Sequence, residues 1–147
     1  MEFQIPASMK REHEKLHQEM NILTQIGGRT GEMAKIVERV LYPHFLKEEE
    51  YALPPLGLLP NLAKGIVSPD MAGVLSLTDQ LKVDLPNMIE EHRQIVRALT
   101  DLIEAAKREG KPAAIEFSQQ LQVHAQAEEE VSYPTAIIIG EYLRLAL

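Results

Sequence analysis

The chain has 147 residues, 45% of them hydrophobic and 25% charged, which suits one globular domain with one buried core. It has no cysteine, which excludes disulfides, thiolate metal sites, iron–sulfur ligation and cysteine nucleophiles. The net charge of −7, with no basic stripe, argues against a nucleic-acid partner; no apolar run suits a signal peptide or a membrane span, so a cytoplasmic soluble protein is expected.

Every segment reads as helix. The first helix is expected from about Ser8 to Ile26, ended by Gly27-Gly28. The second runs from about Thr30 to Ala52, where Leu53-Pro54-Pro55 stops it. Pro43 stands inside it just before His44, where it either kinks the helix to aim His44 inward or kinks it to no purpose. The Leu-rich connection 53–67 either caps the bundle end or forms a partner surface. Ser68-Pro69 then supplies an N-cap and a first helical proline. The pattern continues to Glu109 with an interruption at Pro86, as a kink or as a short helix 69–83 followed by a main helix from about Leu85. After Gly110-Lys111-Pro112 a fourth main helix reaches about Ser132, and Pro134 opens a short C-terminal helix whose apolar residues cap the bundle or mediate a homodimer.

The apolar stripes repeat. Met9, His13, Leu16, Met20 and Leu23 match Met88, His92, Ile95, Leu99 and Leu102 at an offset of 79, as in His13/His92. Val37, Leu41, His44, Glu48 and Tyr51 match Phe117, Leu121, His124, Glu128 and Val131 at an offset of 80, as in His44/His124. Each set lies on one helix face. Two helical hairpins, about 8–52 and 86–132, therefore pair into an all-α, antiparallel up-and-down four-helix bundle within a single domain, 1–147.

Four histidines and two glutamates occupy that seam: His13, His44, His92, His124, Glu48 and Glu128. An unpaired carboxylate in an apolar core costs several kcal/mol and two repel each other, while no Lys or Arg holds a seam position to neutralise them. A metal resolves the conflict, since the i, i+4 pairs His44/Glu48 and His124/Glu128 can each reach a common centre and His13 and His92 add one imidazole each. Six such ligands exceed a tetrahedral zinc site and suit two octahedral ions bridged by both carboxylates and an oxide or hydroxide. About one position per ion then stays open for O2, NO, peroxide or water. Glu50 and Glu130, and for the most part Glu49 and Glu129, read as solvated. His17, one turn beyond His13, is an extra ligand, a hydrogen-bond donor behind the ligands or a surface histidine. Tyr51 either hydrogen bonds near a metal-bound side chain or is a core tyrosine satisfied elsewhere.

At Glu12-His13, His44-Phe-Leu-Lys-Glu48-Glu49, Glu91-His92-Arg93 and His124-Ala-Gln-Ala-Glu128-Glu129, the sequence resembles the hemerythrin-like HHE cation-binding domain over about residues 8–134. The resemblance implies an up-and-down bundle holding two non-haem iron ions on His13, His44, Glu48, His92, His124 and Glu128. Oxygen-carrying hemerythrins place His-x-x-x-His on the third helix and an Asp in the last motif, whereas this chain has Val96 four residues after His92 and Glu128 at the last position. Its ligand set looks more like that of di-iron proteins of NO response and iron-centre repair, or of iron-sensing HHE domains. The expected function is a di-iron protein that binds or senses O2, NO or the iron and redox state of the cell. The alternatives are a di-iron oxidoreductase acting on peroxide or NO, a repair protein, and an interaction bundle with zinc or no metal.

Overall fold

A computed structural model describes all 147 residues, and every regular element in it is helical. Helix α1 spans Ala7–Thr24 and α2 spans Gly28–Lys47. Pro43 lies inside α2 without ending it, on the exposed face, while its neighbour His44 is buried. The helix then widens into a π-helical turn, Glu48–Ala52, closed by a bond from the Leu53 amide to the Glu48 carbonyl at 2.9 Å. A 3-10 turn, Pro54–Leu58, leads into the single turn α3, Leu59–Ala63. Ser68 caps the next element as its sequence promises, its hydroxyl accepting from the Asp70 amide at 3.2 Å, but Pro69–Gly73 is again a 3-10 turn.

Helix α4 then runs unbroken over 36 residues, Val74–Glu109, so no separate short helix precedes Pro86. Proline in a helix removes one donor and crowds the carbonyl four residues back. Pro86 meets that cost on the exposed face, while the fully buried Leu81 and Met88 anchor α4 on either side of it. Gly110 ends α4 in the left-handed conformation (φ 67°), which lets the Lys111 amide reach the Ala106 carbonyl at 2.9 Å. Helix α5, Pro112–Ala127, ends in a second π-helical turn, Glu128–Ser132, closed by the Tyr133 amide on the Glu128 carbonyl. Helix α6 covers Tyr133–Ala146, 14 residues, with Pro134 in its first turn as the sequence led one to expect.

Helices α1, α2, α4 and α5 form the bundle, with α2 and α5 each packed between α1 and α4. Neighbours are antiparallel: the start of α2 meets the end of α4, where Glu109 accepts from the amides of Arg29 (3.1 Å) and Thr30 (2.6 Å). The apolar core comes in two clusters that do not merge. One fills the bundle between Leu16, Phe45, Leu99 and Phe117 towards the Gly27 and Gly110 end. The other joins Leu53–Leu58, the first half of α4 and the inner face of α6 around Met71, Leu81 and Tyr133. The connection after α2 thus closes the bundle end, through Leu53, Leu56 and Leu58. Between the two clusters lies a belt of buried polar side chains.

Candidate metal centre

The seam residues fall in that belt. His13, His44, Glu48, His92 and Glu128 are buried, and His124 is nearly so. One exception on the stripe is Val131, which is 60% exposed. Tyr51, at the matching place after the same kind of turn, is buried against Asp84 and Met88 of α4, whereas α1 starts only at Ala7 and offers Val131 no such cover.

The six side chains converge as two groups that share both carboxylates. His13, Glu48, His124 and Glu128 each offer a ligand atom within 4.8 Å of the others, and so do His44, Glu48, His92 and Glu128. In the first group, His13 Nε2 stands 3.5 Å from Glu48 Oε1 and 3.8 Å from Glu128 Oε2, with His124 Nε2 3.2 Å from the latter. In the second, His44 Nε2 is 3.6 Å from Glu48 Oε2, and His92 Nε2 is 3.2 Å from Glu128 Oε1. Each carboxylate therefore turns one oxygen to each group, and the halves of the sequence repeat exchange the groups.

Burial, together with the charge of Glu128, pushes the Glu48 carboxyl well above its ordinary pKa. Burial also opposes ionisation of Glu128, but the Glu48 carboxyl and the imidazoles of His124, His13 and His92 that face it hold it well below the usual range. Two carboxylates this close share a proton when nothing else neutralises them. Burial lowers His44. It also works against charge on His124, yet Glu128 and then Glu12 raise that imidazole to about 9.

A shell of carboxylates, most of them not expected from the sequence, orients the rings. His44 Nδ1 bonds Glu91 at 2.8 Å, and Glu91 in turn takes a bond from Lys47 Nζ at 2.6 Å. His124 Nδ1 bonds Glu12. His13 Nδ1 meets Glu49 at 3.4 Å, and Glu129 stands 3.4 Å from His92 Nδ1 without bonding geometry. Glu49 and Glu129, read as mostly solvated, thus stay partly exposed but turn inward at the rim. A carboxylate on Nδ1 leaves Nε2 free to face a metal.

Of the other sequence candidates, His17 stays outside, its ring 5.1 Å from that of Phe45 and 5.7 Å from that of Tyr42, and it joins neither group. Tyr51 is buried, but its hydroxyl donates to Asp84 and reaches His44 only through Asp84, Lys47 and Glu91. The tyrosine that does enter the centre is Tyr133, whose hydroxyl donates to Glu48 Oε2 at 2.6 Å and lies 3.1 Å from His44 Nε2 and 3.2 Å from His92 Nε2. Its only sequence signal is its place five residues after Glu128, where Leu53 stands after Glu48.

Five buried side-chain atoms have no hydrogen-bond partner in the protein: His92 Nδ1, on the outer side next to Glu129, and four that face inward, His13 Nε2, His124 Nε2, Glu48 Oε1 and Glu128 Oε2. All four belong to the first group, and an unsatisfied buried polar atom costs about 1–3 kcal/mol, more when charged. Two imidazole nitrogens and two carboxylate oxygens aimed at one another are satisfied together by a cation. A cleft of about 280 Å³ opens onto this group, walled by Met9, Leu53 and Val131 and floored by His13, His124 and Glu128.

No helix is long and apolar enough to cross a membrane. No curated protein and no solved structure matches the chain. The family model described as the hemerythrin HHE cation binding domain matches residues 4–136, a span holding all four bundle helices and all six converging side chains. The chain belongs to the hemerythrin HHE cation-binding domain family.

Proposed function

We propose that the chain is a non-haem di-iron protein that binds or senses O2, NO or the iron and redox state of the cell. One observation carries this reading: the two groups share both carboxylates, so that each offers two imidazole nitrogens and two carboxylate oxygens to its own ion. Together the six side chains exceed a single tetrahedral zinc site, and four donors per ion leave room on each of a pair of six-coordinate irons for a joining oxide or hydroxide and an open position. Such a pair supplies one-electron redox changes and an open coordination position for a small molecule.

The protein's own part in this follows from its side chains. Glu48 and Glu128 bring the negative charge that offsets two cations and bridge the two groups. Glu12, Glu49 and Glu91 hold imidazoles in the orientation that presents Nε2 inward. The apolar wall of Met9, Leu53 and Val131 suits a small, weakly polar gas.

The test is metal per chain after anaerobic iron loading, with absorption spectra before and after O2 and NO. About two irons, with bridged-diferric bands that respond to one of the gases, support the proposal and name the ligand. Zinc, a single ion or none after loading ends it.

A further inference from the structure

The two halves of the centre are related by the sequence repeat, yet they are not alike. At the His44–His92 half, the Tyr133 hydroxyl lies 2.6 Å from Glu48 Oε2, 3.1 Å from His44 Nε2 and 3.2 Å from His92 Nε2. Donors held roughly 2.1 Å from one ion in an octahedron stand about 3 Å from their cis neighbours. The phenol oxygen therefore already keeps the spacing of one more corner of the same polyhedron. Its ring is fully buried and lies nearly parallel to that of His92, with centroids 5.6 Å apart, so it has no room to swing out. At the His13–His124 half the repeat places Leu53, whose side chain has no donor atom, and all four inward-facing orphaned atoms lie there, the fifth being His92 Nδ1 on the outer side of the other half.

Access differs in the same sense. The cleft onto His13 and His124 runs past Leu53, Ala127 and Val131. The repeat replaces these with Tyr133, Lys47 and Tyr51. There Tyr51 bonds Asp84, and Lys47 Nζ lies 2.6 Å from Glu91 and 3.5 Å from Asp84. The hollow outside that cover is lined by Lys47, Tyr51 and Asp84 and reaches none of the six converging residues, while a second, between α4 and α5, touches His92 beside Glu129, the neighbour of its Nδ1, and none of the other five.

We infer that Tyr133 is a seventh protein donor, serving only the ion held by His44 and His92, and that a small exogenous ligand is admitted only at the ion held by His13 and His124. The inference rests on the di-iron reading. On metal loading the phenol oxygen forms its bond to the ion and the hydroxyl proton leaves to solvent, as happens when any protonated ligand is metallated. With two imidazoles, two carboxylate oxygens, the phenolate and the bridge, that ion is six-coordinate. The other lacks the phenolate and keeps one position free, at the mouth of the cleft.

The experiment uses iron-loaded, air-oxidised protein, with azide as the small-ligand probe and iron measured in every sample. The wild-type chain is expected to carry two irons, to show a visible phenolate-to-iron charge-transfer band with phenolate vibrations enhanced on excitation within it, and to bind one azide. Tyr133→Phe, which keeps the ring, is expected to retain the irons, lose the band and bind a second azide. Two irons in the wild type without phenolate vibrations would overturn the inference and leave the di-iron reading standing. So would vibrations that survive in Tyr133→Phe, or two azides bound by the wild type. Fewer than two irons in the wild type ends both. Should the variant fail to fold, the wild-type vibrations and azide count still decide.

Discussion

Glu12 adjoins His13 in the chain, but it is His124, on the neighbouring helix, whose Nδ1 it binds. Glu91 repeats this in the other half, adjoining His92 and bonding His44 at 2.8 Å. Each of these carboxylates thus ties two helices together and fixes an imidazole it does not follow in sequence. Replacing Glu91 with Gln keeps the shape but weakens the hold on His44, and losses of this kind cost about 10–100-fold in metal affinity. Competition with a chelator of known affinity checks this; unchanged affinity would make Glu91 a surface charge only.

The shared carboxylates predict a difference between ligand deletions. His44→Ala removes a donor from one group, so the ion of that half is lost, whereas Glu128→Ala removes an oxygen from both and should empty the centre. Metal analysis of the folded variants reads the outcome. A Glu128→Ala protein that kept two ions would remove Glu128 from the centre.

The orphaned atoms make the metal-free chain less stable than the loaded one. A ligand present at about 1,000 times its Kd contributes roughly 4 kcal/mol, which for a chain of this length is about 10 °C in melting temperature. Melting curves with excess metal and with chelator measure the gap. No difference would mean that the belt is already satisfied without a cation.

Much of the centre was legible in the sequence, since His13/His92 and His44/His124 with their i+4 glutamates mark one helix face by spacing alone. The outer carboxylates were not, because Glu12 and Glu91 act across a helix interface that periodicity cannot show. Nor was Tyr133. Five residues of α-helix carry a side chain roughly 140° from where it began, which places Tyr133 off the seam of Glu128. The π-helical turn spreads that interval over more nearly one full turn and returns the ring to the seam, and no residue of Glu-Glu-Glu-Val-Ser announces it. At Pro86 the sequence left a kink or a break open, and the packing of Leu81 and Met88 decides against the break.

At the far end from α6, Glu109 gathers the first amides of α2. Hydrogen bonds from the Thr30 hydroxyl, then from the Thr30 and Arg29 amides, hold its carboxyl below the usual range. A depressed folded-state pKa gives stability that is present above the unfolded value and lost as pH falls through the folded one. Stability should therefore drop in acid in a part that Glu109→Gln abolishes, as read from urea midpoints of wild type and variant across that range. Parallel acid losses in the two proteins would show that the cap contributes nothing.

Gly140 lies on the inner face of α6, where an added Cβ would overlap Thr78 of α4. Gly140→Ala should cost about 1–3 kcal/mol by overpacking. Because α6 begins with Tyr133, the variant should also disturb the end of the centre next to that ring. Denaturation and near-ultraviolet circular dichroism test both parts, and a variant as stable as the wild type would show that α6 shifts freely on α4.

The two apolar clusters do not merge and are tied together by shared helices, since α2 feeds the first and the turn after it the second, and α4 runs through both. The six converging side chains lie at the joint. In the empty chain that joint holds two carboxyl groups sharing a proton and a set of unmet bonds. Filled, it would hold both glutamates and all four bundle helices at once. The same cations would then decide whether the domain unfolds in one step or in two.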